Sequence, residues 1–171
     1  MTYYMTADEH MGHKNIIRYC KRPYETVEEM DEALITNFNS LVTADDITIH
    51  AGDFTLAKKE IAQNYIRRLN GKHIFLMGSH DRWLPNHAPY IWEKKIGDLY
   101  VVVCHYAMRT WPRSHYGSIQ LFAHSHGTLI AGKNQMDVGV DANNYYPISL
   151  DTIKEKLGIC NCLMCQAIKR R

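Results

Sequence analysis

No stretch of this 171-residue chain approaches the roughly 18 consecutive apolar residues that would span a bilayer, which excludes a transmembrane helix. The opening MTYYMTADEH has no basic segment followed by an apolar one, so no signal peptide is expected. An excess of one charge is missing as well: 20 basic residues against 18 acidic ones leave a net +2, too little to attract nucleic acid by bulk electrostatics. Cysteine is scarce and odd in number, five in all with three in the short segment Cys160, Cys162 and Cys165, which is no framework for a disulfide-stapled secreted fold. A reduced, cytoplasmic compartment is the expectation. There is no internal repeat, low-complexity stretch or linker, so the chain reads as one domain over residues 1–158 followed by a Cys-containing basic tail, 159–171.

Hydrophobic patterning divides that domain into two halves. In the first, residues 3–5, 47–49 and 74–77 are strand-like. Between them a short helix is expected within residues 11–20, ended by Pro23, and an amphipathic helix carries Val27, Met30, Leu34, Phe38 and Leu41. Thr26 and Glu29 make a capping box at the start of that second helix. A further helix with Ile61, Tyr65, Ile66 and Leu69 completes a β-α-β-α-β opening. Beyond Pro89 the pattern predicts two hairpins, residues 91–96 with 99–104 and residues 128–131 with 135–140, and then a last helix from about Ser149. The fold class that follows is α/β of α+β-like character, a central β-sandwich of two mixed sheets flanked by helices, with loops gathered along one rim.

The chemistry-bearing residues fall where the strand-like runs end. Asp8-Glu9-His10, Gly52-Asp53, Gly78-Ser79-His80-Asp81, Cys104-His105 and His124-Ser125-His126 each close such a run. Loops that follow neighbouring strands share one sheet edge, so ligands distant in sequence can meet. Carboxylate oxygen and neutral imidazole suit divalent Mn, Fe, Ni, Zn or Co, and a carboxylate can bridge two cations. A pair of cations about 3.5–4 Å apart clamps a phosphate and activates water, which makes phosphoester hydrolysis the natural chemistry.

In their order, these motifs resemble the signature of the calcineurin-like metallophosphoesterases, written here as Asp8-x-His10, Gly52-Asp53, Gly78-Ser79-His80-Asp81, His105 and His124-x-His126. The resemblance runs from about Tyr3 to Asp141 and points to a small single-domain member. It implies two divalent metals, manganese foremost, with iron, nickel or zinc as alternatives. Asp8, His10 and His126 would hold one, His105 and His124 the other, and Asp53 both. His80 would protonate the leaving oxygen after attack by a hydroxide bridging the metals. Ser79 stands where the family has a metal-binding asparagine, so a weakened second site and reduced turnover are expected; Ala123 and Ala107 replace the usual glycine and proline.

The expected substrate is a phosphodiester or phosphomonoester, with a nucleotide or nucleic acid favoured because no cap or long insertion closes the cleft. Arg82, Arg109 and Asn15 are candidate substrate contacts, Arg through bidentate phosphate bonds. His50, His73, His87 and His115 read as structural or solvent-facing, Glu9 as a solvated loop residue, and Asp81 either as a partner of a catalytic imidazole or as a turn cap. Two rival readings stand beside the enzyme: a silent binding protein that keeps the pocket for phosphate, nucleic acid or a protein, and a metal-dependent hydrolase of a non-phosphate ester or amide.

Overall fold

The computed structural model describes residues 1–159. Residues 3–6 form β1 (Tyr3–Thr6), and α1 (Lys14–Tyr19) and α2 (Val27–Leu41) carry the chain over to β2 (Ile47–His50), which lies parallel to β1 with Met5 opposite Ile49. A crossover of this kind is what a parallel pair requires. The Thr26 cap of α2 is present, the Glu29 N–H donating to the Thr26 hydroxyl at 3.1 Å, while the Glu29 carboxylate reaches one residue past the cap to accept from the Glu25 N–H at 2.8 Å. Met30, Leu34, Ile35 and Phe38 form its buried face, whereas Leu41 is exposed. Next, α3 (Lys59–Ile66) leads to β3 (Lys72–Phe75), parallel to β2. This helix is shorter than its apolar pattern suggested and buries Ala62 rather than Ile61.

The second half contributes β4 (Ile91–Ile96), β5 (Leu99–Cys104), β6 (Ile119–Phe122), β7 (Gln135–Asp137), β8 (Ile148–Ser149) and α4 (Leu150–Lys156). One four-stranded sheet has the order β3-β2-β1-β8 and the other β4-β5-β6-β7, both mixed. Met5, Ile49, Val101, Val103, Ile119, Leu121 and Ile153 meet in the core between them, each fully buried. Burial of a side chain of that size stabilises the fold by about 1.5–3 kcal/mol. On the far side of the first sheet, Met11, Ile16, Met30, Leu34 and Phe54 fasten the helices to it.

The hairpin expected at residues 91–104 is β4 and β5. The one expected at residues 128–140 is not formed. Only Gln135–Asp137 is extended there, and β7 pairs parallel with β6 instead of antiparallel with its own neighbour. Leu129 and Ile130 are exposed, the latter 94 %, so the apolar pair that suggested a strand buries nothing. The chain instead turns through the second histidine motif and crosses back to the free edge of β6. No helix among the described residues is long and apolar enough to cross a membrane. Cys160, Cys162 and Cys165 lie outside the described residues.

Candidate metal centre

Because β1, β2 and β3 run parallel, as do β5 and β6, the motifs that follow them emerge at the ends of both sheets. The two rims meet: the His124 N–H donates to Asp8 Oδ2 at 2.8 Å, and His105 Nε2 lies 3.4 Å from Asp53 Oδ2. Ligand atoms fall into two sets, Asp8, His10 and His126 in one and Asp53, His105 and His124 in the other, each set with its atoms within 4.8 Å of one another. Asp53 Oδ2 is the hub between them, with His10 Nε2 at 3.8 Å and His80 Nε2 at 4.0 Å besides His105.

The donor nitrogens are fixed by what the opposite ring nitrogens do. His105 Nδ1 sits 3.0 Å from the Ala51 carbonyl, which can only accept, so Nδ1 carries the proton and Nε2 presents its lone pair to the site. His126 Nδ1 is 2.7 Å from Asp141 Oδ2. That carboxylate is held below its ordinary range: burial works against the charge, but bonds from His126 and Arg22 prevail. It therefore accepts from His126 and leaves Nε2 as the ligand atom. His10 is buried and stacks on His126 at 5.3 Å; burial keeps its ring neutral. Burial pushes Asp8 up to about 7 against the pull of His126 and His105, while in Asp53 the same tendency is overcome by His105 and the carboxyl is held low.

Two further observations fit this donor set to divalent cations. Asp8 Oδ1, both ring nitrogens of His10 and His105 Nε2 are buried without a hydrogen-bond partner. A buried polar atom left so costs about 1–3 kcal/mol, and ligation would satisfy Asp8 Oδ1, His105 Nε2 and one nitrogen of His10. The backbone is left-handed at Asp8 (φ 56°), His10 (51°), Asp53 (57°), His124 (67°) and His126 (49°). Residues with a Cβ adopt that region at a cost, and here they do so at five of the candidate ligands. Gly52 and Gly78 permit the close approach of these turns, since a Cβ on Gly52 would lie 2.7 Å from Gly78 Cα and one on Gly78 would collide with the Asp53 carboxylate.

Asp81 neither pairs with an imidazole nor caps the turn that follows it. Its Oδ2 accepts from the Asp53 and Gly78 N–H groups at 2.6 and 3.0 Å, and its Oδ1 from the Phe54 N–H and Trp83 Nε1, both at 3.0 Å. It ties the second and third motifs together. Glu9 is buried rather than solvated, with Oε1 2.7 Å from His50 Nδ1, and His50 Nε2 continues to His73 Nδ1 at 3.1 Å. The loop turns through left-handed backbone at Asp8 and His10, and between them the Glu9 side chain faces His50. Ser79 Oγ is exposed and sits 2.9 Å from the Tyr106 hydroxyl, whose ring packs edge-on against His105 and His124. Arg82, Arg109 and Asn15 are exposed, and Asn15 lines a surface hollow with Lys14, Arg18 and Glu25 that contains none of the ligands.

Sequence reasoning missed Arg22, Asp141 and the hydroxyl pair of Ser79 with Tyr106. A basic residue before Pro23 and an acidic one beyond the last motif carried no periodic signal. Cys20, His126 and Asp141 also lie within 4.8 Å of one another, but burial, with Asp141 beside it, pushes the Cys20 thiol up to about 11, and the Asp141 oxygens are already engaged.

No protein-family model matches the chain. It is 31 % identical over 159 residues to the uncharacterized protein MJ1445 of Methanocaldococcus jannaschii, a match covering 88 % of each. Its fold is similar to that of AQ665, a protein of unknown function from Aquifex aeolicus, with a TM-score of 0.67 and 20 % identity over 91 % of this chain and 98 % of that one. A conserved uncharacterized protein of Streptococcus pneumoniae, described as a predicted phosphoesterase, aligns with a TM-score of 0.43 and 13 % identity over 81 % of this chain and 70 % of the other. The chain belongs to the same family as the Methanocaldococcus protein, and its two-sheet fold is similar to that of the Aquifex protein.

Proposed function

We propose that this protein is a metal-dependent phosphoesterase acting on a phosphodiester or phosphomonoester, with a nucleotide or nucleic acid end as the favoured substrate, in a cytoplasmic setting. The observation that carries the reading is the hub at Asp53, one carboxylate oxygen within 4.0 Å of imidazole nitrogens from His10, His80 and His105. Asp8, His10 and His126 would hold one divalent ion, His105 and His124 a second, and Asp53 both, with manganese expected ahead of iron, nickel or zinc. Such ions supply Lewis acidity, polarising the phosphate oxygens and easing deprotonation of water at neutral pH.

The chain's own residues supply the rest. His80 is half exposed and belongs to neither ligand set, which leaves its ring free to donate a proton to the departing oxygen. Its backbone N–H donates to Asp53 Oδ1 at 2.9 Å, so the loop that carries the acid is tied directly to the shared ligand. Asp81 braces that loop against the Asp53 turn, which limits misplacement of either group. Arg82 and Arg109 remain candidates for holding the substrate phosphate.

Ser79 favours a second reading, a binding protein without turnover, since a serine hydroxyl is a shorter and poorer neutral donor than an asparagine carbonyl. Hydrolysis of bis- and mono-nitrophenyl phosphate with Mn, Ni, Zn or no metal decides between the two. Metal-dependent turnover that is lost in Asp53→Asn establishes the enzyme, and the preferred ester separates diesterase from monoesterase. Metal uptake without turnover of any ester would favour the binding protein.

A further inference from the structure

Arg22 is the most thoroughly engaged charged residue at the rim, although it belongs to no motif. Its side chain is buried, with Nε and one terminal nitrogen donating to the two oxygens of Asp141 at 2.9 and 2.8 Å. That second nitrogen also donates to the Asp8 carbonyl at 2.6 Å, and the other donates to the Glu9 carbonyl at 2.9 Å and approaches Met30 Sδ at 3.4 Å. Asp141 in turn accepts from His126 Nδ1 at 2.7 Å. One guanidinium thus grips the backbone that carries Asp8 and, through a carboxylate 119 residues away, the ring of His126. Both are members of the same ligand set; in the other set the buried Asp81 carboxylate holds the Asp53 backbone, but among the described residues no charged side chain orients the ring of His105 or His124 from its far nitrogen.

We propose that Arg22 and Asp141 are positioning residues for the Asp8, His10 and His126 set, which fix His126 as the Nδ1-protonated tautomer and hold its Nε2 opposite the Asp8 carboxylate. The proposal rests on the metal-dependent reading above. Arginine is required because only a planar fork can bond both carboxylate oxygens while its remaining N–H groups serve two carbonyls. The carboxylate matters because an ionised acceptor selects the ring nitrogen that keeps the proton, and the other nitrogen is left for a cation. A simple fold staple would use the same bonds, so the test must separate staple from positioner.

The full-length protein, stripped of metal, is titrated with MnCl2 by calorimetry, and the histidine ring nitrogens are read by 15N NMR. The variants are Arg22→Met, Asp141→Leu and the double variant. Removing both charges leaves no buried unpaired ion, so the double variant keeps its fold even where a single one does not, and circular dichroism verifies this. We expect wild type to take up two Mn ions and the folded double variant to bind one of them about 10–100-fold more weakly, the range typical for loss of a group that orients a metal ligand. In metal-free protein His126 shows the Nδ1-protonated signature in wild type and loses it in Asp141→Leu. A folded double variant that binds both ions as wild type does, or an unchanged tautomer in Asp141→Leu, overturns the proposal. If wild type binds no Mn, the metal reading fails, while the tautomer measurement still judges the role of Arg22 and Asp141.

Discussion

The two ligand sets at the rim are built from the same residue types but supported differently. Around Asp8, His10 and His126 the orienting groups are buried and ionic: Arg22, Asp141 and two backbone carbonyls. Around Asp53, His105 and His124 the buried Asp81 carboxylate braces the Asp53 backbone, but the groups beside the rings are neutral and partly wet: a carbonyl under His105, an exposed His124, and two hydroxyls on Ser79 and Tyr106. Local support in a low-dielectric interior is stronger than the same bonds in water. The rings of the first set are therefore the better braced, and on the metal-dependent reading the ion held there is expected to bind more tightly than the other.

Asp53→Asn should break the comparison outright, because the hub serves both sets. Turnover of bis-nitrophenyl phosphate is expected to fall by about 100- to 1000-fold or more, the scale seen when one strong electrostatic stabiliser is lost, and a chelator should do the same to wild type. His80→Ala sharpens it by sparing both sets: we expect kcat to drop roughly 100- to 10,000-fold with Mn uptake unchanged. The loss should be larger for an alkyl ester than for a nitrophenyl ester, since a nitrophenolate departs without a proton. An equal loss for both would remove His80 from the acid role.

Ser79→Asn is aimed at the weaker set alone. An asparagine carbonyl should strengthen the second Mn site by about ten-fold and raise turnover, the lower end of what a single group contributes at a metal centre. No gain in either would mean that the hydroxyl pair already completes the site. The smallest effect lies at the opposite ends of β1 and β2. There Asp46 accepts from the Thr43 N–H at 3.0 Å, the Thr43 hydroxyl at 2.7 Å and the Thr2 N–H at 2.6 Å, and these bonds hold it at about 2 instead of 3.8. A lowered carboxyl stabilises the fold fully above its unfolded value, and that contribution disappears as pH falls from about 4 toward 2. Asp46→Asn should flatten the acid limb of a thermal-unfolding profile in that window while leaving Mn binding intact at neutral pH.

The parts of this site legible in the sequence were those that repeat a local rule. Each motif closes a strand-like run, so the shared edge followed from strand direction, and the Thr26–Glu29 box marked its helix because capping is local. Glu9 was misread because a loop that turns through left-handed backbone on both sides of it has no period to follow, and the turn places its carboxylate on His50. The β6–β7 pairing was misread because a short apolar pair such as Leu129-Ile130 looks the same in a strand and in an exposed turn. Arg22 and Asp141 were invisible for a different reason: a bond between residues 119 apart leaves no pattern in either neighbourhood.

The strand order has a consequence for how the protein is made. β1, synthesised before every other strand of the two sheets, stays one neighbour short until Ile148–Ser149 arrives to pair with it, and the rim is incomplete until Asp141 has been synthesised. Until then the chain carries an open sheet edge and scattered histidines, a state prone to association and to capturing metal in the wrong arrangement. On the metal-dependent reading, loading would be a late event in biogenesis, and expression yield should respond to translation speed and chaperone supply before it responds to the metal in the medium.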